Sequence, residues 1–356
     1  MRAMDGIALI LCEGLYGVRN GKTAHGLVRF SRRYTLRAVI DSALNGRDAG
    51  EALDGKHRGI PIIASFEEGL RLPGDPVTHL VVGVATVGGR LPGGFRPMIA
   101  EALRRGLHVD SGLHEFISED PEFAEIAERS GSRIRDVRKS APRSELHFST
   151  GRISEVACPR IAILGTDCAL GKRTTAWLLV QALARAGVRA EMVGTGQTAW
   201  MQGAHYGVIL DSIINDFVSG EIEHAVWSAW NEVRPDLIVI EGQGTLIHPV
   251  YPGGFEILGA ARPTAVVLQH APGRKELEGC PGVPLAPPWK HVEVIRLISG
   301  TPTIAVTISR EGLDPPECAR AAEAIARETG VPVIDPLLDD GEELAAFVAG
   351  QMGILP

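Results

Sequence analysis

The sequence contains no C-x-x-C pair; its five cysteines, Cys12, Cys158, Cys168, Cys280 and Cys318, are scattered and odd in number. That excludes a disulfide framework or a thiolate zinc site as the organising principle and suits a reducing cytoplasm. Positive charge is not in excess either, since 36 Lys and Arg stand against 43 Asp and Glu for a net charge of −7. No polyanion-binding surface follows, nucleic acid is not an expected partner, and any phosphate recognition has to be local. No apolar run approaches the ~20 residues that cross a bilayer, so no membrane partner is expected. The apolar run Gly6–Cys12 lies between Asp5 and Glu13 without a cleavage pattern, which reads as a first strand rather than an export signal. No internal repeat is visible.

What the sequence does hold is an ordinary globular composition, 45% hydrophobic and 22% charged, over a length of 356 residues that favours two domains. Short runs of Val, Ile and Leu alternate with helix-like segments throughout, the pattern of parallel strands with crossover helices. The fold class expected is α/β, a Rossmann-like N-terminal domain over 1–145 followed by a P-loop NTPase-like parallel-sheet domain over 155–356. In the first domain, strands are expected at 7–12, 37–40, 61–64, 79–84, 107–109 and 133–136, with helices at 94–105 and 121–130. In the second, strands are expected at 160–164, 189–193, 237–240, 265–269, 303–308 and 331–334. Helices are expected there at 172–186, 221–231, 315–329 and 341–350. The aperiodic stretch 137–159 is the candidate linker. The proline-rich stretch 271–290 reads as a long irregular excursion that covers a site.

The chemistry concentrates after the strand Ile161-Ala-Ile-Leu. There the chain runs Gly165-Thr166-Asp167-Cys168-Ala169-Leu170-Gly171-Lys172-Arg173-Thr174-Thr175 into a helix. Glycines let successive N–H groups curl inward, the helix presents its positive end, and Lys172 adds a full charge, which together cradle a diphosphate or triphosphate. The spacing G-x(5)-G-K is one residue longer than the usual G-x(4)-G-K-[ST]. Arg173 also stands where a magnesium-binding hydroxyl is usual, so phosphate binding is better supported than magnesium binding. Thr174 or Thr175 would have to supply that hydroxyl, and the metal is left unknown.

Other candidates sit at predicted strand ends, where an open parallel sheet gathers its ligand. Leu237-Ile-Val-Ile-Glu241-Gly242-Gln243-Gly244 ends a buried strand in an acid, which makes Glu241 the leading general base and His248, seven residues on, the second candidate. Thr195 and Gln197 in Gly194-Thr-Gly-Gln-Thr198, Asp216 near Asp211, and Gln243 are candidate substrate contacts, as are Ser111 and His114 from the first domain. Backbone N–H groups of 242–244 or 195–198 are candidate oxyanion donors, and Cys168 is an alternative acyl-carrying nucleophile. Gly14-Leu-Tyr-Gly17-Val-Arg-Asn-Gly21-Lys22-Thr23 imitates a second phosphate loop, and Asp41 occupies the place of a ribose-binding acid, although the glycine fingerprint is missing.

The loop opening Gly165-Thr-Asp, with the acidic strand end at Glu241, resembles dethiobiotin synthetase and its relatives. Taken with Gly21-Lys-Thr-Ala-His-Gly26, Ala38-Val-Ile-Asp-Ser42, Ser111-Gly-Leu-His-Glu-Phe116, Gly194-Thr-Gly-Gln-Thr198, Asp216-Phe-Val-Ser-Gly220 and His248-Pro249, the chain resembles the DgcN-like family of P-loop proteins, D-glutamate N-acetyltransferase and relatives. The resemblance implies acetyl transfer from acetyl-CoA to the amino group of a small-molecule acidic amino acid such as D-glutamate, with the cofactor phosphates held by Gly165–Thr175. The rivals are ATP- and Mg2+-dependent carboxylate activation, as in dethiobiotin synthetase, and a nucleotide-sensing switch. A homo-oligomer is the expectation for a soluble enzyme of this size.

Overall fold

In the computed structural model, which describes residues 4–354, the chain divides into two compact units. The first comprises 1–140 together with 197–204; the second comprises 141–196 and 205–356.

The first unit is built on a six-stranded sheet of β1 (Gly6–Leu11), β2 (Tyr34–Ile40), β3 (Ile62–Ile63), β4 (His79–Val82), β5 (His108–Ser111) and β6 (Ile134–Asp136). Every pairing is parallel and the order is β3-β2-β1-β4-β5-β6, the doubly wound Rossmann order. Helices on both faces explain why β1 and β4 read as unbroken apolar runs: Ala8–Leu11 and Leu80–Val82 are fully buried. All six expected strands are present. The helix Pro121–Ser130 also forms, capped by Asp120, which accepts from the N–H groups of Glu122 and Phe123, and stopped by Gly131 in the left-handed region.

The segment 197–204 is the surprise. Helix Gln197–Gln202 leaves the second stretch of sequence and packs into the first unit. Met201 joins its core, Gln202 donates to the carbonyls of Gly26 and Phe30, and Arg33 lies over the Trp200 ring. Nothing in the periodicity of so short a helix says which core it serves.

The second unit carries a seven-stranded parallel sheet of β7 (Arg160–Gly165), β8 (Ala190–Gly194), β9 (Tyr206–Gly207), β10 (Leu237–Glu241), β11 (Ala265–His270), β12 (Thr303–Ile308) and β13 (Val333–Ile334). The order is β13-β12-β11-β7-β10-β8-β9. The chain moves to one side of β7 for β8 to β10 and to the other for β11 to β13, so the end of β7 is a topological switch point, where such sheets bind ligands. The two-residue β9 and helices Gly254–Ala261 and Pro288–Ser299 were not evident in the sequence.

The expected linker is not loose. Residues 147–151 lie against helix Asn215–Val233, where buried Glu223 accepts from the N–H groups of Thr150 and Gly151 and from the hydroxyls of Ser149 and Thr150. Burial alone would raise this carboxyl, but those donors hold it below the ordinary carboxylate range. The strap seats because Gly220 has no side chain: a Cβ there would stand 2.0 Å from the His147 carbonyl oxygen. Gly220→Ala is therefore expected to lift the strap and cost about 2–3 kcal/mol in urea unfolding, from overpacking and stranded polar groups. Unchanged stability would show that the strap contributes nothing.

Candidate functional site

The loop after β7 lies between the ends of β10 and β11, whose last residues are Glu241 and His270. Its backbone curls as the glycine-bounded sequence requires, with Ala169 at φ 50° and Gly171 at φ 103°, before helix Lys172–Arg185 begins. The N–H groups of Ala169, Leu170 and Gly171 make no hydrogen bond among the described residues. Three consecutive unspent main-chain donors leading into a helix N-terminus are the groups from which an anion nest is built.

Lys172 is buried, and its stem passes between two glycines. A Cβ on Gly165 would meet its Cδ at 2.9 Å, and one on Gly242 would meet it at 3.0 Å and the Ile163 carbonyl oxygen at 2.2 Å. The ammonium donates to the main-chain oxygen of Asp167 at 2.6 Å and so stays inside the loop. Burial pulls its pKa down, against the pull of Cys168, Asp167 and Glu241. Burial likewise raises Glu241, against Arg173, the N–H of Thr195 and Lys172. Burial thus shifts Glu241 and Lys172 each toward its neutral form, and the opposite charges around them work against that shift.

Glu241 is held by the N–H of Thr195 at 2.9 Å and by that of Gly196. These two N–H groups, candidates for an oxyanion, are spent on the carboxylate. Gln243 is half-buried near the same place: a Cβ on Gly196 would be 3.6 Å from its Oε1 and 4.0 Å from Glu241 Oε2.

Asp167 is fully buried, and its carboxylate is fully engaged. It accepts from Cys168 N–H at 2.6 Å, from Glu278 N–H at 2.9 Å and from Arg274 Nη1 at 2.7 Å. His248 is also buried. Its Nδ1 accepts from the N–H groups of Val250 and Tyr251, which leaves the proton on Nε2, 3.2 Å from the Glu278 carbonyl oxygen and 3.6 Å from Asp167 Oδ1. Ligand atoms of Asp167, Cys168 and His248 lie within 4.8 Å of one another. A cation there would have to displace Arg274 and reverse the imidazole tautomer, so the arrangement favours the protein's own ion pair.

Thr166 Oγ1 lies 2.8 Å from His270 Nδ1. The Thr175 hydroxyl donates to Gln269 Oε1 at 2.6 Å and is buried against the sheet, so it is engaged where the missing hydroxyl of the usual motif would face a metal. Thr174, half-buried, is the hydroxyl left near the helix start. Asp216 is exposed in the first turn of helix Asn215–Val233, where a carboxylate suits the helix dipole, and Asp211 is exposed as well.

In the first unit, Ser111 is buried at the end of β5 and its hydroxyl accepts from Leu113 N–H, while Gln197 lies against Gly112. His114 is exposed beside Gly89. The carboxylate of Asp41 is occupied by the N–H groups of Tyr16 and Ala43, so it braces its own loops where a ribose-binding acid would face a ligand. Residues that the sequence did not single out are Arg274, Glu278, Gln269 and His270. Proline density marked the segment holding the first two as a cover, but nothing in it distinguished the arginine.

Comparison with known proteins agrees with this architecture. Residues 147–345 match the family model described as Domain of unknown function (DUF1611_C) P-loop domain, and 42–140 match Domain of unknown function (DUF1611_N) Rossmann-like domain. The chain belongs to the DUF1611 family. A crystal structure of a DUF1611 family protein from Anabaena variabilis is 29% identical, with a TM-score of 0.87 over 97% of this chain and 99% of that one. Two relatives are named D-glutamate N-acetyltransferase. That from Tritonibacter scottomollicae is 29% identical over 72% of this chain and 77% of its own length. That from a Pseudoalteromonas species is 27% identical over 75% and 80%. Among the described residues no helix is long and apolar enough to cross a membrane.

Proposed function

We propose that the protein is an amino-acid N-acetyltransferase that moves acetyl from acetyl-CoA to the amine of an acidic amino acid such as D-glutamate. The observation that carries this reading is the buried carboxylate of Glu241 beside Lys172, at the switch point whose loop holds three unspent main-chain donors; the names of the two relatives support it. The N–H groups of Ala169–Gly171, the helix start and Lys172 would hold the cofactor phosphates, which requires no metal. Glu241 would take the proton from the substrate ammonium, freeing its lone pair to attack the thioester carbonyl; the carbon–sulfur bond then breaks, and the surplus proton left on the nitrogen goes to the departing thiolate, giving the amide and free thiol. A carboxylate raised by burial is the stronger base for this task. Between the two candidate bases, the geometry favours Glu241, since both ring nitrogens of His248 are engaged.

The test is acetyl transfer by the purified protein, followed as free thiol, with D- and L-glutamate and with or without Mg2+. Magnesium-independent thiol release that depends on the amino acid is expected. Lys172→Ala should weaken acetyl-CoA binding by at least ~10-fold, the loss of one charge-assisted contact. Tight ATP–Mg2+ binding with phosphate release would replace this reading by carboxylate activation, and nucleotide binding without turnover would replace it by a sensor.

A further inference from the structure

The proline-rich stretch after β11 folds back on itself: Leu277 N–H donates to the Val283 carbonyl, Leu285 N–H to the Lys275 carbonyl, and Glu276 bridges antiparallel to Pro284. Arg274 opens this hairpin. Its side chain is 7% exposed and makes three contacts that define one direction: Nη1 to Asp167 Oδ2 at 2.7 Å, Nη1 to the Cys168 carbonyl oxygen at 2.8 Å, and Nη2 to Glu311 Oε2 at 2.6 Å. Glu278 N–H, further along the hairpin, reaches the same Asp167 oxygen.

The contact to the Cys168 carbonyl has a consequence for the loop. A trans peptide is planar, with its C=O and the following N–H pointing in opposite directions. Fixing the Cys168 carbonyl on Arg274 therefore turns the N–H of Ala169 away from Arg274. That N–H is the first of the three unspent donors, and Ala169 has a left-handed φ that a side chain rarely adopts. We propose that Arg274, seated by Asp167 and Glu311, is a positioning residue for the phosphate cradle, setting the Cys168–Ala169 peptide so that its N–H faces the bound anion. The hairpin is then part of the cradle's framework, and Asp167 serves the cofactor through Arg274.

This inference rests on the cradle and, for its kinetic arm, on acetyl-CoA as the donor; a direct binding measurement separates the two. Inorganic pyrophosphate is titrated calorimetrically into the wild-type protein, Arg274→Lys, Arg274→Ala and Gly273→Ala. The last variant changes no charge. A Cβ at Gly273 would sit 2.3 Å from the Glu311 carbonyl oxygen, so it displaces the root of the hairpin. Expected are pyrophosphate affinities lowered about 10-fold or more in Arg274→Ala and Gly273→Ala, with partial recovery in Arg274→Lys. In turnover, the KM for acetyl-CoA should rise by a similar factor, with kcat and the KM for the amino acid within about threefold. Unchanged pyrophosphate affinity in folded Gly273→Ala and Arg274→Ala, or no binding by the wild type, overturns the proposal. Pyrophosphate binding that responds as expected in a protein that does not transfer acetyl upholds the positioning role and rejects the donor.

Discussion

Glu241→Gln is expected to lower kcat for acetyl transfer by about 10²–10⁴, the range attributed to a general base, while leaving the fold intact. Glutamine keeps the shape and an oxygen to accept the Thr195 N–H, so the buried donor is not stranded. Affinity for acetyl-CoA should hold or tighten, because the substitution removes a negative group that acts on Lys172. The pH profile supplies the second signature. The base works when deprotonated, so activity falls as pH drops through the Glu241 pKa. Burial raises that pKa above the ordinary carboxylate value, so the acidic limb should lie at higher pH than for an exposed glutamate. The limb should vanish in the glutamine variant. Activity within threefold of wild type would remove Glu241 from the chemistry.

The second large effect is on stability. Burial pushes His270 down to about 4, with the Arg274 guanidinium adding to the effect, and pushes His291 down to about 4 as well, with His270 contributing. His291 is fully buried; its Nδ1 lies 3.5 Å from Thr245 Oγ1, and its Nε2 has no hydrogen-bond partner among the described residues, so a proton there would find no acceptor. Both groups have a folded pKa below the ordinary histidine value of 6.5. Above 6.5 neither the folded nor the unfolded chain is protonated at these sites, and stability does not depend on them. As pH falls from 6.5 towards 4, the unfolded chain binds protons first, and stability is lost by up to about 3 kcal/mol per imidazole. Urea unfolding at pH 7, 6, 5 and 4.5 should show a steep loss in the wild type and a shallower one in His291→Gln. Parallel curves for the two proteins would place the acid-labile groups elsewhere.

Both effects depend on burial, which links them to what could be read from the residues. The alternation of apolar runs with helical segments was enough to place both sheets, because a parallel strand buried on both faces must be continuously apolar. Pro121–Ser130 and Pro315–Thr329 were legible to the residue because proline at the first helical position and a following Gly131 or Gly330 punctuate them. The phosphate loop was legible because glycine, lysine and helix stand together in a short stretch of chain.

Helix Gln197–Gln202 was not, since its partners Gly26, Phe30 and Arg33 come from far away in the sequence and its few residues carry no periodic pattern. The sequence ranked Glu241 above His248 but could not show what engages either. Seven residues apart, they differ in which backbone N–H groups reach them: Thr195 and Gly196 for the one, Val250 and Tyr251 for the other. By itself, then, the sequence determined two α/β domains and a P-loop, all of which follow from local pattern and backbone freedom. Only the tertiary structure decided that Asp167 faces Arg274, that Thr175 serves Gln269 and that Glu241 lies near Lys172. Those outcomes depend on which strands become neighbours in the sheet, and strand order is a property of long-range packing.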